Sequence, residues 1–107
     1  MKDHVKGGAL TEVTLYILLS LYEPRHGYAI IQFVKEKTWG RLVLGAGTLY
    51  GALNKLEERG WITAWSANDE RKKEYLITLL GRHAVMKEMD RLKQLIRTAD
   101  EILSPEQ

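Results

Sequence analysis

The stretch Gly45-Ala46-Gly47-Thr48 is where this sequence comes nearest to a chemical motif. Two glycines at that spacing suggest a loop that cradles phosphate. A P-loop, however, needs an upstream strand, a longer glycine-spaced loop, and a lysine followed by serine or threonine at the helix start. No such lysine stands here. A dinucleotide fingerprint needs a third glycine three residues on and a surrounding βαβ unit. That position is Tyr50, and no parallel strand is in sight. A nucleotide site is therefore not expected. The glycines instead permit a tight approach to a helix N-terminus. Backbone N–H groups there can meet the phosphates of a nucleic acid.

Other chemistries find less support. His4, His26 and His83 have no metal-ligand spacing, and there is no cysteine to join them. The absence of cysteine also removes disulfides and thiol redox chemistry, which fits a cytoplasmic protein. No serine or threonine is placed by a histidine and a carboxylate in the manner of a nucleophile. Glu57 and Glu58 are helix neighbours, which point apart, so they read as solvation of the helix. No enzyme activity, cofactor or metal is expected.

The helix behind the glycines carries more information. Leu49, Leu53 and Leu56 are spaced i, i+4, i+7 and face a core. Gly60 lies where a left-handed helix cap belongs. The opposite face holds Thr48, Gly51, Ala52, Asn54, Lys55 and Arg59, and is polar, basic and small near its start. Such a face can settle into a major groove, with Asn54 and Lys55 hydrogen-bonding to base edges. Further on, Arg71-Lys72-Lys73 is either a solvated charge run or a set of phosphate contacts. Asp69, Glu70 and Glu74 flank it and offset its charge.

The elements that must position these residues follow from pattern and punctuation. A first helix is expected over about 11–22, apolar nearly all round, with Leu10, Val13, Ile17 and Leu21 on one side. In so small a chain a helix of that kind is buried on two sides, the second against a partner subunit. Pro24 ends it. A second helix runs from about Tyr28 to Lys37, with Ile30, Ile31 and Val34 as its stripe. Trp61 to Ser66 and Lys72 to Thr78 alternate as strands around the polar turn Ala67 to Arg71, which makes a hairpin. Trp39 and Trp61 flank helix ends and are expected to pack. Thr78 is an N-cap for a last helix over about 79–103. Along it Val85, Met89, Leu92, Ile96, Ala99 and Leu103 form a heptad seam for a second copy.

The whole is one domain's worth of chain, 107 residues, mainly α with a small β-hairpin, in the order α-α-α-β-β-α. No apolar run reaches the roughly 18–20 residues that span a bilayer, so no membrane partner is expected. The net charge is only +2. Any anion-binding surface must therefore be local, and the small basic excess sits in residues 1–60, with 8 Lys/Arg against 6 Asp/Glu.

Gly47-Thr48-Leu49-Tyr50, then Leu53, Leu56-Glu57, Gly60 and Ile62, resembles the recognition-helix signature of PadR-type transcriptional regulators. His26-Gly27-Tyr28 is similar to that family's start of the second helix. Lys73, Tyr75, Ile77 and Thr78, followed by Gly81, are similar to its wing exit, and Gly8, Leu10 and Ile17 to Leu19 to its first helix. The resemblance covers about residues 8–82 by motif.

It implies a winged helix-turn-helix over 1–78 and a dimerisation helix with a short tail over 79–107, acting as a DNA-binding repressor. Tyr28, Gly47, Thr48, Tyr50, Gly51, Asn54, Lys55 and Arg59 would lie on or beside the DNA-facing helix. Arg71, Lys72 and Lys73 would be the wing cations. Leu10, Ile17 and the heptad seam would make the homodimer interface. Double-stranded operator DNA and a second copy are the implied partners. A small hydrophobic or phenolic effector is a third, held among Met86, Met89, Leu92 and Ile96, since residues 79–107 lack the aromatic that some relatives use. Two features depart from the family: the acids at the wing tip, and Glu74 where an aromatic is common. They bear on how much the wing adds to DNA affinity; the low net charge and the acidic wing tip support the alternative of a winged-helix interaction module without DNA binding.

Overall fold

A computed structural model of the chain describes residues 8–65 and 73–105. It contains α1 (Glu12–Ser20), α2 (Gly27–Lys37), α3 (Ala46–Glu58), β1 (Ile62–Trp65), β2 (Glu74–Ile77) and α4 (Leu79–Leu103). This is the expected order. Thr11, His26 and Thr78 cap α1, α2 and α4, each accepting a first-turn backbone N–H on its side chain.

α1 stops at Ser20, short of the expected residue 22, because its last carbonyls are taken by tertiary partners. The Arg25 guanidinium donates to the Ser20 carbonyl, and the Ile77 N–H of β2 donates to the Leu21 carbonyl at 2.8 Å. The same connection then pairs with β2 a second time. Arg25 and Tyr75 exchange two backbone hydrogen bonds of 3.1 and 2.9 Å. The antiparallel hairpin, in register Ile62↔Ile77 to Trp65↔Glu74, thus gains a one-residue third strand and is tied to the helical body.

The core is shared by all of these elements. Ile17, Leu18, Leu21, Ile30, Val34, Leu49 and Leu53 are fully buried, and Leu44, Leu56, Ile62, Tyr75, Ile77 and Val85 nearly so. Two expectations are corrected here. Ile17 has no exposed surface and Val85 retains 3%, so both are consumed by the subunit's own core and are closed to a partner. Leu10 and Met89 likewise pack on that core, half-buried. Trp39, expected to pack, is 94% exposed. The chain reverses there through two left-handed residues, Trp39 at φ 53 and Gly40 at φ 83, which turns the indole outward. Thr38 holds this turn together, donating to the Val34 carbonyl and accepting the Leu42 N–H.

α4 begins in the core and ends outside it. Its first turns pack on α1 and β2 through Val85 and Met89. From Lys93 to Pro105 every residue is exposed except half-buried Ala99.

Glu88, 4% exposed, anchors the packed part. Its carboxylate pairs with Arg91 through two hydrogen bonds and faces the Leu10 backbone N–H. Arg91 above all, with Leu10, holds the Glu88 carboxyl below its ordinary 4.5 against the opposing effect of burial. A carboxyl shifted down on folding contributes stability that is complete above its unfolded value and is lost as pH falls through the folded one. Glu88→Gln is therefore expected to lower stability by about 1–3 kcal/mol near neutrality. Denaturant titrations from pH 7 to pH 3 should also show a shallower acid loss in the variant.

Candidate nucleic-acid interface

α3 presents two unlike faces because its apolar residues recur at i, i+4 and i+7. Leu49, Leu53 and Leu56 are buried, while Gly47, Thr48, Gly51, Asn54 and Lys55 are all exposed. A Cβ at Gly47 or Gly51 would meet nothing within 4 Å. The first two turns therefore offer bare backbone, one hydroxyl and open space, with the Asn54 amide and the Lys55 ammonium one turn further along.

The N-terminus of α3 differs from the other three. Gly45 adopts the extended N-cap conformation but supplies no side-chain hydrogen bond. The first-turn amides of α3 are thus left without the cap that Thr11, His26 and Thr78 give their helices. An uncapped N-terminus carries free donors and the positive end of the helix dipole, both suited to phosphate.

Tyr28 stands in the first turn of α2, 67% exposed. Tyr50 is only half free. Its hydroxyl fills the space where a Gly27 Cβ would stand, so the α2 start and the α3 ring lie in contact. That contact explains why glycine follows His26: any side chain there would displace the Tyr50 ring. Tyr50 thereby lies against the first turn of α2, the turn that also carries Tyr28.

Arg59 is the C-cap of α3, and its guanidinium lies 5.0 Å from the centre of the Trp61 ring. It is exposed but already engaged by an aromatic face. Lys73 lies beside β2, half-buried, with its ammonium 5.9 Å from the Tyr75 ring. Arg71 and Lys72 fall outside the described residues. Among those described, no group of three or more His, Asp or Glu side chains could hold a metal ion, and no helix is long and apolar enough to cross a membrane.

Sequence reading missed the contacts that position this surface. The Arg25–Tyr75 pairing, the Gly27–Tyr50 contact and the Glu12–Arg41 ion pair each join residues far apart in the chain. Arg41 sits in the turn between α2 and α3, and its bidentate bond to Glu12 ties that turn to α1.

The fold recurs in known regulators. A transcriptional regulator from Clostridium thermocellum matches with a TM-score of 0.72 at 22% identity, over 96% of this chain and all of its own. A PadR family transcription regulator from Clostridium difficile matches with a TM-score of 0.76 at 22% identity, over 88% of this chain and all of its own. A PadR-like transcription factor from Bacteroides fragilis matches with a TM-score of 0.71 at 27% identity, over 84% of this chain and 87% of its own. No curated protein sequence matches the chain significantly. The PadR-like transcriptional regulator family model matches residues 5–87, a span that takes in α1 to α3, the hairpin and the packed start of α4. With the winged-helix arrangement around α3, that match places the chain in the PadR-like family of transcriptional regulators, and so among regulators rather than enzymes.

Proposed function

We propose that the chain is a cytoplasmic, homodimeric repressor whose two α3 helices enter successive major grooves of a near-palindromic operator. The observation that carries this reading is the outward face of α3, where Gly47 and Gly51 leave the backbone open and Asn54 and Lys55 follow. A major groove admits a helix, and the fewer the side chains at the contact, the closer the helix axis approaches the base edges. Asn54 and Lys55 then read bases, while the α3 amides, Tyr28 and the wing cations hold phosphates. Two-fold symmetry sets the half-sites about one helical turn, roughly 34–36 Å, apart. A small hydrophobic or phenolic effector between the α4 helices would release DNA by altering that separation.

Selection of bound duplexes from a random pool tests the reading directly. An enriched inverted repeat is the expected result; a pool that stays random would leave the winged helix as a protein-interaction module. On the selected duplex, Lys55→Ala is expected to weaken binding about 10-fold or more and to reduce the slope of log K against log salt by roughly one if it meets a phosphate. An unchanged slope with relaxed sequence preference would assign Lys55 to a base instead.

A further inference from the structure

The recognition helix and α4 are separated in sequence by the whole hairpin, yet a single hydroxyl joins them. Thr78 Oγ1 donates to the Gly60 carbonyl at 2.6 Å and accepts the Gly81 N–H at 3.1 Å. One side chain therefore serves both the end of α3 and the first turn of α4. The Thr78 N–H also donates to the Trp61 carbonyl at 2.9 Å. α4 then packs directly on that carbonyl: a Cβ on Gly81 would collide with the Trp61 oxygen and stand 2.7 Å from Ile77 Cγ1.

Residues 60 and 61 are themselves fixed to α3. Gly60, at φ 78, donates to the Glu57 carbonyl, and Trp61 donates to the Leu56 carbonyl. Leu80 lies over Gly60, with Cδ2 3.6 Å from the place of a Cβ there. No loop intervenes between the last turn of α3 and the first turn of α4 at this contact. A reorientation of α4 at its base must turn α3 with it.

We infer that Thr78 is a positioning residue that fixes the angle between the recognition helix and α4, and with it the half-site spacing the protein accepts. The inference rests on the dimeric DNA-binding reading given above. Thr78 meets no DNA on this view, and acts only through the orientation of α3. Removing its hydroxyl leaves the apolar packing of α4 in place but breaks the bridge between the two helix ends. The exposed Gly60 carbonyl can then turn to water.

Two measurements test this. The first uses the selected operator, rebuilt with one base pair added or removed between half-sites. Thr78→Val is expected to lower the preference for the native spacing about three- to tenfold, the range that one neutral hydrogen bond commands. Its affinity for an isolated half-site should equal that of the parent, and Thr78→Ser should restore the parent's preference. Thr78→Val with an unchanged spacing preference would overturn the inference.

The second measurement needs neither DNA nor a dimer. The chain has no native cysteine, so Glu58→Cys and Arg97→Cys place two spin labels, one on α3 and one on α4. Labelled chains are diluted with unlabelled protein. A wider distance distribution in Thr78→Val, but not in Thr78→Ser, supports the junction; equal widths in all three refute it. A chain that selects no duplex would refute DNA binding, and leave this second result to decide the junction alone.

Discussion

Gly51→Glu is expected to abolish operator binding while leaving the subunit folded. The two halves of that result have separate causes. Nothing lies within 4 Å of a Cβ at Gly51, and the residue is exposed, so a side chain there disturbs no packing. Replacing a mid-helix glycine also removes backbone freedom from the unfolded chain, a gain of about 0.5–1 kcal/mol. In the complex, the same side chain stands between α3 and the floor of the groove and brings a carboxylate towards phosphates. Loss of a major-groove helix contact together with like-charge repulsion is expected to cost at least about 100-fold in affinity. Fluorescence anisotropy on the selected duplex, beside a thermal melt, separates the two. A variant that melts as the parent does and binds as tightly would remove α3 from the interface. Gly51→Ala is the graded companion, with a smaller loss of the same sign.

Ile96→Glu is expected to convert dimers to monomers. The outer half of α4 carries Leu95, Ile96, Ile102 and Leu103 exposed, on turns left largely uncovered by the described residues of the subunit. Helical segments of this length are marginal in water when unsupported. The heptad phase continues through Leu92, Ile96, Ala99 and Leu103, which is the spacing a second α4 would fill. Ile96 is 59% exposed in the single subunit, so its replacement spares the core. In a paired seam, each added carboxylate would have to lose its water, at several kcal/mol per ion. Sedimentation should show monomers at concentrations where the parent is dimeric, and far-UV circular dichroism should show fraying of the outer turns. A variant that still sediments as a dimer would place the interface elsewhere. The same substitution at Ile17 would not be informative, because Ile17 belongs to the subunit's own core.

Much of the fold was legible in the residues themselves. The end of α4 at Leu103, the cap Thr78, the buried row Leu49, Leu53 and Leu56, and the left-handed Gly60 all stand where pattern puts them. Each is a local signal: a period, a cap or a stop. The division of the heptad seam was not legible. Val85 and Ile96 both belong to the apolar seam of one repeating pattern, yet one lies in the core and the other in solvent. An apolar stripe records that a face is covered, and says nothing about what covers it. Trp39 misled for a related reason: an aromatic predicts burial by type, but a left-handed turn can aim it outward.

By itself, the sequence determined the element order, the two faces of α3 and the exclusion of thiol chemistry, because periodicity and composition are properties of neighbours along the chain. The tertiary structure alone decided that Glu88 reaches Leu10, that Gly27 yields space to Tyr50, and that Thr78 bridges α3 and α4. Such contacts are set by how whole elements pack. What they leave in the sequence is a single glycine or hydroxyl, and neither residue names the distant atom it meets.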